Sequence, residues 1–171
     1  MTSVLSNPLL KAATITVFCA VIGAALGTSI PAAHADPGPF DGYAGSWSGT
    51  GSIQIADAGS ERIRCKGTYT VDGSGNNLRQ SLRCASDSYR FDLTTNITAS
   101  GGQLSGNWTE SSRGVNGIVA GAISGGNVVA RVETNGYVAT FNITTKSGKQ
   151  SVAIASPGEL RAVNMSLTRG N

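Results

Sequence analysis

Two cysteines, Cys65 and Cys84, and six cations between Arg62 and Arg90 are the residues of this 171-residue chain whose types and spacing could do chemistry. The cysteines could close a disulfide. The cations are Arg62, Arg64, Lys66, Arg79, Arg83 and Arg90; they could hold an anion, and the arginine fork suits bidentate recognition. Other chemistry is scarce. The single histidine, His34, sits in Ala33-His34-Ala35, which reads as a signal-peptidase site. A charged start ending at Lys11, an apolar stretch from Ala12 to Leu26 and small residues before the cut form the pattern of an exported precursor. Cleavage after Ala35 would remove His34 and Cys19 and lower the formal net charge of +3 by one. Residues 1–35 are therefore expected to be a cleaved signal peptide and residues 36–171 a single domain in the periplasm or outside the cell.

Without His34 the chain has no base for Ser-His-Asp or Cys-His catalysis. Once Cys65 and Cys84 pair, no cluster remains to bind a metal, so neither metal nor cofactor is expected. Glu110, Glu133 and Asp92 could serve glycoside hydrolysis, but no spacing singles out a pair. The glycine-rich run from Ser112 to Gly126 is not followed by the Lys-Ser/Thr that a phosphate-cradling loop needs. The small net charge gives no reason to expect nucleic acid as a partner, and no segment after residue 35 is apolar enough to span a membrane as a helix. The expectation is a protein that binds rather than catalyses.

The elements that must position these residues read as strands. Beyond Asp36, Val, Ile, Thr and aromatic residues alternate with polar ones and are broken every eight to twelve residues. Breakers fall at residues 57–60, 72–76, 86–88, 100–102, 111–114, 125–126, 135–136, 147–148 and 157–158. Nine turns imply about ten strands, in an all-β antiparallel up-and-down meander that closes, or nearly closes, into a β-barrel. Asn135-Gly136 is the strongest single turn signal, because both centres of a type I′ turn need positive φ.

Alternation also predicts register, since a one-residue slip would turn every side chain to the wrong face. Centring the second hairpin on residues 72–76 places Cys65 opposite Cys84, Tyr69 opposite Gln80 and Val71 opposite Leu78. Facing cysteines in an oxidising compartment predict a Cys65–Cys84 disulfide. Other expected pairs are Trp47 with Val71, Leu82 with Phe91, Leu93 with Trp108, Val119 with Val132, Ala130 with Phe141, Phe141 with Ile154, and Val152 with Met165. Trp47, Tyr69, Phe91, Trp108 and Phe141 fall on the apolar face, as core or as the wall of a hydrophobic ligand site. Gly49, Gly51, Gly67, Gly106, Gly117 and Gly121 share that face; they allow either a tightly packed barrel, the expected case, or a cavity.

The cations fall on the outward face. Lys66 opposite Arg83, and Arg83 opposite Arg90, would make a row of three, flanked by Arg62, Arg64 and Arg79. Either this is a solvated face compensated by Asp87 and Asp92, or it is an anion-binding strip for a lipid head group, an acidic polysaccharide or a partner protein.

The runs Trp47-Ser48-Gly49-Thr50-Gly51, Glu61-Arg62-Ile63-Arg64-Cys65, Leu82-Arg83-Cys84-Ala85-Ser86-Asp87-Ser88-Tyr89 and Leu104-Ser105-Gly106-Asn107-Trp108-Thr109-Glu110 resemble a family of small exported alphaproteobacterial proteins, rhizobial types especially. That resemblance covers nearly the whole of residues 36–171 and brings no activity with it. The Gly45-Ser46-Trp47 opening also resembles the calycin barrels (lipocalins and avidins). Together with one disulfide it is similar to small barrel inhibitors of bacterial metalloproteases, although this chain is longer and lacks an evident inhibitory N-terminal arm. The leading expectation is an exported, non-catalytic binding protein that uses the basic face or a hydrophobic interior. The alternative is a protein–protein module such as an inhibitor of an exported hydrolase.

Overall fold

A computed structural model describes residues 37–134 and 136–170. The expected signal peptide and its expected cleavage site, with Cys19 and His34, lie outside the described residues, as does Asn135. Ten antiparallel strands follow one another: β1 (Gly45–Ile55), β2 (Gly59–Val71), β3 (Asn77–Ala85), β4 (Arg90–Ser100), β5 (Gln103–Glu110), β6 (Val115–Ser124), β7 (Asn127–Thr134), β8 (Tyr137–Lys146), β9 (Lys149–Ala155) and β10 (Leu160–Arg169). Each pairs with its sequence neighbours, and β1 pairs with β10, so the barrel is closed. Closure leaves no free strand edge.

Turn chemistry sets the register. Gly101-Gly102, Gly125-Gly126 and Ser147-Gly148 have positive φ at both central positions, as two-residue hairpins require. β2 and β3 pair as expected, with Cys65 opposite Cys84 and Tyr69 opposite Gln80, and so do all ladders from β6 to β10. Three ladders differ. Trp47 faces Gly67 rather than Val71, because Ile55 and Gly59 close a short turn through Asp57, whose φ is 63°. Leu82 faces Leu93 rather than Phe91, because the turn over residues 86–89 closes with Ser86 N–H donating to the Tyr89 carbonyl. Leu93 faces Glu110 rather than Trp108, because the turn centres on Gly101-Gly102. Every offset is even, so no side chain changes face.

Inward residues build a core in which Ile53, Ile63, Val163 and Leu167 are essentially inaccessible. The disulfide between Cys65 and Cys84 lies in this core with its Cα atoms 4.1 Å apart, and Cys65 Sγ is 3.6 Å from Met165 Sδ across β1. That contact passes Gly49 and Gly51, where the strands come close. A Cβ on Gly49 would lie 1.9 Å from the Ser166 carbonyl oxygen, and one on Gly117 would lie 1.7 Å from that of Glu133. These glycines serve backbone approach in coiled strands rather than emptying the interior.

Residues 37–44 cross one end of the barrel. Phe40 and Tyr43 pack edge to face with ring centroids 5.5 Å apart, and both are buried. The segment is pinned by Phe40 N–H to the Gly75 carbonyl, Tyr43 Oη to the Gly126 carbonyl, and Arg169 Nη1 to the Gly42 carbonyl. Trp47 lies beneath it, stacked on Tyr69 and donating its indole N–H to the Tyr43 carbonyl at 2.7 Å. Among the described residues no helix is long and apolar enough to cross a membrane.

Candidate functional site

Inward-facing side chains do not fill the barrel. A cavity of about 720 Å³ runs from the plugged end, where Phe40 and Tyr43 form part of its lining, to the opposite end, where exposed Arg113, Gly114 and Glu159 edge it. The interior is therefore not tightly packed, contrary to the expectation from the glycines. Its space comes from modest side chains. Val119 faces Val132, and Val132 faces Ala139, so three adjacent strands contribute small groups to one inward row near the mouth. A cavity of this size is in the range of small-molecule sites.

The walls are apolar, and the deep end carries a polar layer. Tyr69 Oη donates to Gln150 Oε1 at 3.0 Å and accepts from Gln80 Nε2 at 2.9 Å. Thr95 Oγ1 donates to Gln80 Oε1, and Gln150 Nε2 donates to Thr145 Oγ1. This chain of bonds crosses the interior from β4 to β8 and satisfies the buried Gln150 and Thr95. Burial raises the pKa of Tyr69, only partly opposed by its bond to Gln80, and burial also raises that of Tyr43. Both hydroxyls therefore stay protonated, and the layer is neutral. Trp108 Nε1 is buried against Gly117 and has no hydrogen-bond partner among the described residues.

The mouth is organised by Glu110, which ends β5 and is buried. Its carboxylate accepts from the backbone N–H groups of Asp92, Ser112 and Arg113 and from Ser112 Oγ. Burial works against its charge, but those bonds outweigh burial and hold its carboxyl below the usual range. The loop so fixed carries Arg113, whose guanidinium lies 4.0 Å from the Tyr89 ring centroid and 3.8 Å from Glu110. A depressed carboxyl pKa stabilises the fold above its unfolded value and loses that contribution as pH falls through the folded value. Urea unfolding midpoints should therefore drop as pH falls below about 4.5, the usual value for a glutamate. Glu110→Gln should cost roughly 1–3 kcal/mol at neutral pH and flatten that part of the profile. Parallel profiles for the two proteins would refute this role. The Asp72 carboxylate, which bonds Asn77, Ser74 and Asn76, is pulled down to about 2 and sets a later acid step.

Of the aromatic candidates, Tyr69, Phe91, Trp108 and Phe141 line the cavity. Trp47 does not; it belongs to the closed end. Sequence reasoning missed Gln80, Thr95 and Gln150 as lining residues, together with Arg113 at the rim and the Phe40–Tyr43 plug. The facing of Gln80 with the inward Tyr69 was the available signal.

The outward cations form a different pattern from the one expected. Lys66 faces Arg83, but Arg83 faces Asp92, not Arg90, and binds it at 2.8 Å. The row of three cations does not form, because the β3–β4 turn shifts β4 by two residues. Arg90 instead faces Ala85, which faces Arg64. Arg64, Lys66, Arg83 and Arg90 thus surround a groove of about 730 Å³ on the outer face, with Ser48, Thr50 and Ala85 among its lining. Arg62 lies at the edge of this group, opposite Ser52 on β1. Arg79 is apart, bonded through Nε to Asn96 Oδ1 at 2.9 Å. Of the carboxylates weighed for catalysis, Asp92 binds Arg83 and Glu133 binds Arg131. Among the described residues no group of three metal-ligating side chains occurs.

No family model and no curated protein matches the sequence. The resemblance to small exported alphaproteobacterial proteins thus gains no support from those comparisons. Solved structures do match. An S-type phycobiliprotein lyase, CPES from Guillardia theta, is similar with a TM-score of 0.51 and 12% identity, over 75% of this chain and 88% of that one. The fluorescent protein UnaG, in a mutant form, aligns with a TM-score of 0.48 and 16% identity, over 75% of this chain and 96% of that one. At this identity the first likeness speaks for the barrel fold alone.

Proposed function

We propose that the protein is an exported, non-catalytic binding protein that takes a small hydrophobic ligand into its barrel. The observation that carries this reading is the apolar cavity of about 720 Å³, plugged by Phe40 and Tyr43 at one end and edged by exposed residues at the other. The ligand's apolar body would displace water from among Leu93, Ile97, Trp108, Val132 and Phe141, which is favourable by roughly 25 cal/mol per Å² of apolar surface buried. Its polar end would remain at the mouth beside Arg113 and Asn116. The neutral deep layer favours an uncharged inner end, because a charge there would be desolvated without a counter-ion.

The non-catalytic reading is supported by Glu110. Its carboxylate is committed to the loop it holds, and the other mouth carboxylate, Glu159, is exposed. The disulfide is compatible with an oxidising, exported location. Native mass spectrometry of protein purified gently from its own host tests the proposal. An added mass that denaturation releases is expected. A bare chain that also fails to enhance the fluorescence of the neutral probe N-phenyl-1-naphthylamine would overturn it.

A further inference from the structure

We infer that the outer basic groove is a second binding site, distinct from the barrel interior, and that it takes a phosphate monoester dianion. The site follows from register. Two outward rows cross the first four strands side by side. One reads Ser48, Lys66, Arg83, Asp92; the next reads Thr50, Arg64, Ala85, Arg90. Neighbouring strands lie about 4.8 Å apart, and successive outward residues on one strand about 7 Å apart. Ala85 therefore sits with Arg64 on one side, Arg90 on the other and Arg83 next to it along β3. Its methyl group, with the short side chains of Ser48 and Thr50, leaves the depression whose rim the long cations build together with Asp92, the carboxylate paired with Arg83.

Charge singles out the occupant. Arg83 spends its charge on Asp92. Arg64, Lys66 and Arg90 form no ion pair among the described residues. Three uncompensated cations around one small residue repel one another unless an anion lies between them. A single carboxylate would neutralise one of them, whereas a tetrahedral dianion offers enough charge and enough acceptor oxygens for two guanidinium forks and an ammonium. A long polyanion would need cations repeating along the face. Arg79 lies farther along β3, tied to Asn96, and Arg131 lies on β7, well round the barrel from β2 and β3. The cluster is compact and suits one phosphoryl group. Its hydroxyl neighbours Ser48 and Thr50 could bond an adjoining polar group of the same ligand.

The test uses the oxidised protein at constant ionic strength. Amide shifts of Ser48, Ala85 and Arg90 are followed while glycerol 3-phosphate is added, with chloride as the control anion. Saturable shifts confined to these strands are expected. Arg64→Ser/Arg90→Ser should weaken the apparent affinity at least tenfold, whereas Arg79→Ser and Arg131→Ser, each removing one surface cation, should leave it unchanged. Ala85→Glu, which puts a carboxylate in the depression, should abolish binding. Far-UV circular dichroism should show that each variant keeps its fold. Sedimentation with phosphatidylcholine vesicles containing phosphatidic acid separates the sources of the group. Soluble binding without co-sedimentation supports a free phosphate ester; co-sedimentation lost in Arg64→Ser/Arg90→Ser supports a lipid phosphate. Absence of saturable binding to both probes, or binding insensitive to Arg64→Ser/Arg90→Ser, overturns the inference.

Discussion

Replacing Cys65 and Cys84 together by alanine is expected to lower the unfolding free energy by about 3 kcal/mol. The two residues are 19 positions apart, and cross-linking a chain over such a distance removes a corresponding amount of entropy from the unfolded ensemble. The native ladder does not need the bond, because Lys66 with Arg83 and Gly67 with Leu82 remain paired beside it. The loss should therefore appear chiefly through the unfolded state. The urea midpoint should fall, and the dependence on urea should steepen, since an uncrosslinked chain exposes more surface when it opens. A second, smaller contribution comes from the folded side: Cys65 Sγ touches Met165 Sδ in the core, and alanine leaves that space empty. Equal midpoints for the variant and the oxidised parent would refute the assignment of a stabilising role to the bond.

The same hairpin shows what alternation could and could not reveal. Cys65, Tyr69 and Val71 find their expected partners because the Asp72–Asn76 turn is closed by its own side chains, with Asp72 accepting from Ser74, Asn76 and Asn77. The strand count and the inward face were legible for a related reason: period-two alternation survives any even slip. For that reason an even slip was invisible. Shifting β4 by two residues kept Phe91 inside, yet it replaced Arg90 by Asp92 opposite Arg83. The basic face was thus readable as a face, while its pairs were not. The cavity depends on barrel radius, which follows from the stagger accumulated around all ten strands and closed by the pairing of β1 with β10. That is a non-local quantity, and local alternation holds no measure of it. Phe40 and Tyr43 precede the first strand, where no periodicity marks them as a plug.

Ala139→Trp should weaken hydrophobic binding by more than tenfold while leaving the barrel at least as stable. Ala139 lines the cavity near its mouth, facing Val132, and is only partly buried because it looks into open space. An indole at this position would project into the opening rather than against a packed wall. It would deny a ligand about 100 Å² of apolar contact, worth roughly 2.5 kcal/mol, which corresponds to about a 60-fold loss of affinity. Filling empty volume should hold or raise the unfolding midpoint, since the parent lacks atoms there to make contacts. Thr140→Trp supplies the matched control: the next residue on β8 points outward and is exposed, so the same indole there should leave binding intact. N-phenyl-1-naphthylamine is the suitable probe because it is neutral and has no charge to attract it to the outer groove. Its displacement can be followed through its own emission and through that of Trp108, which lines the cavity. Unaltered probe affinity in Ala139→Trp, or equal losses in Ala139→Trp and Thr140→Trp, would place hydrophobic binding outside the barrel. A selective loss in Ala139→Trp would tie ligand capture to the row of small side chains that Val119, Val132 and Ala139 share.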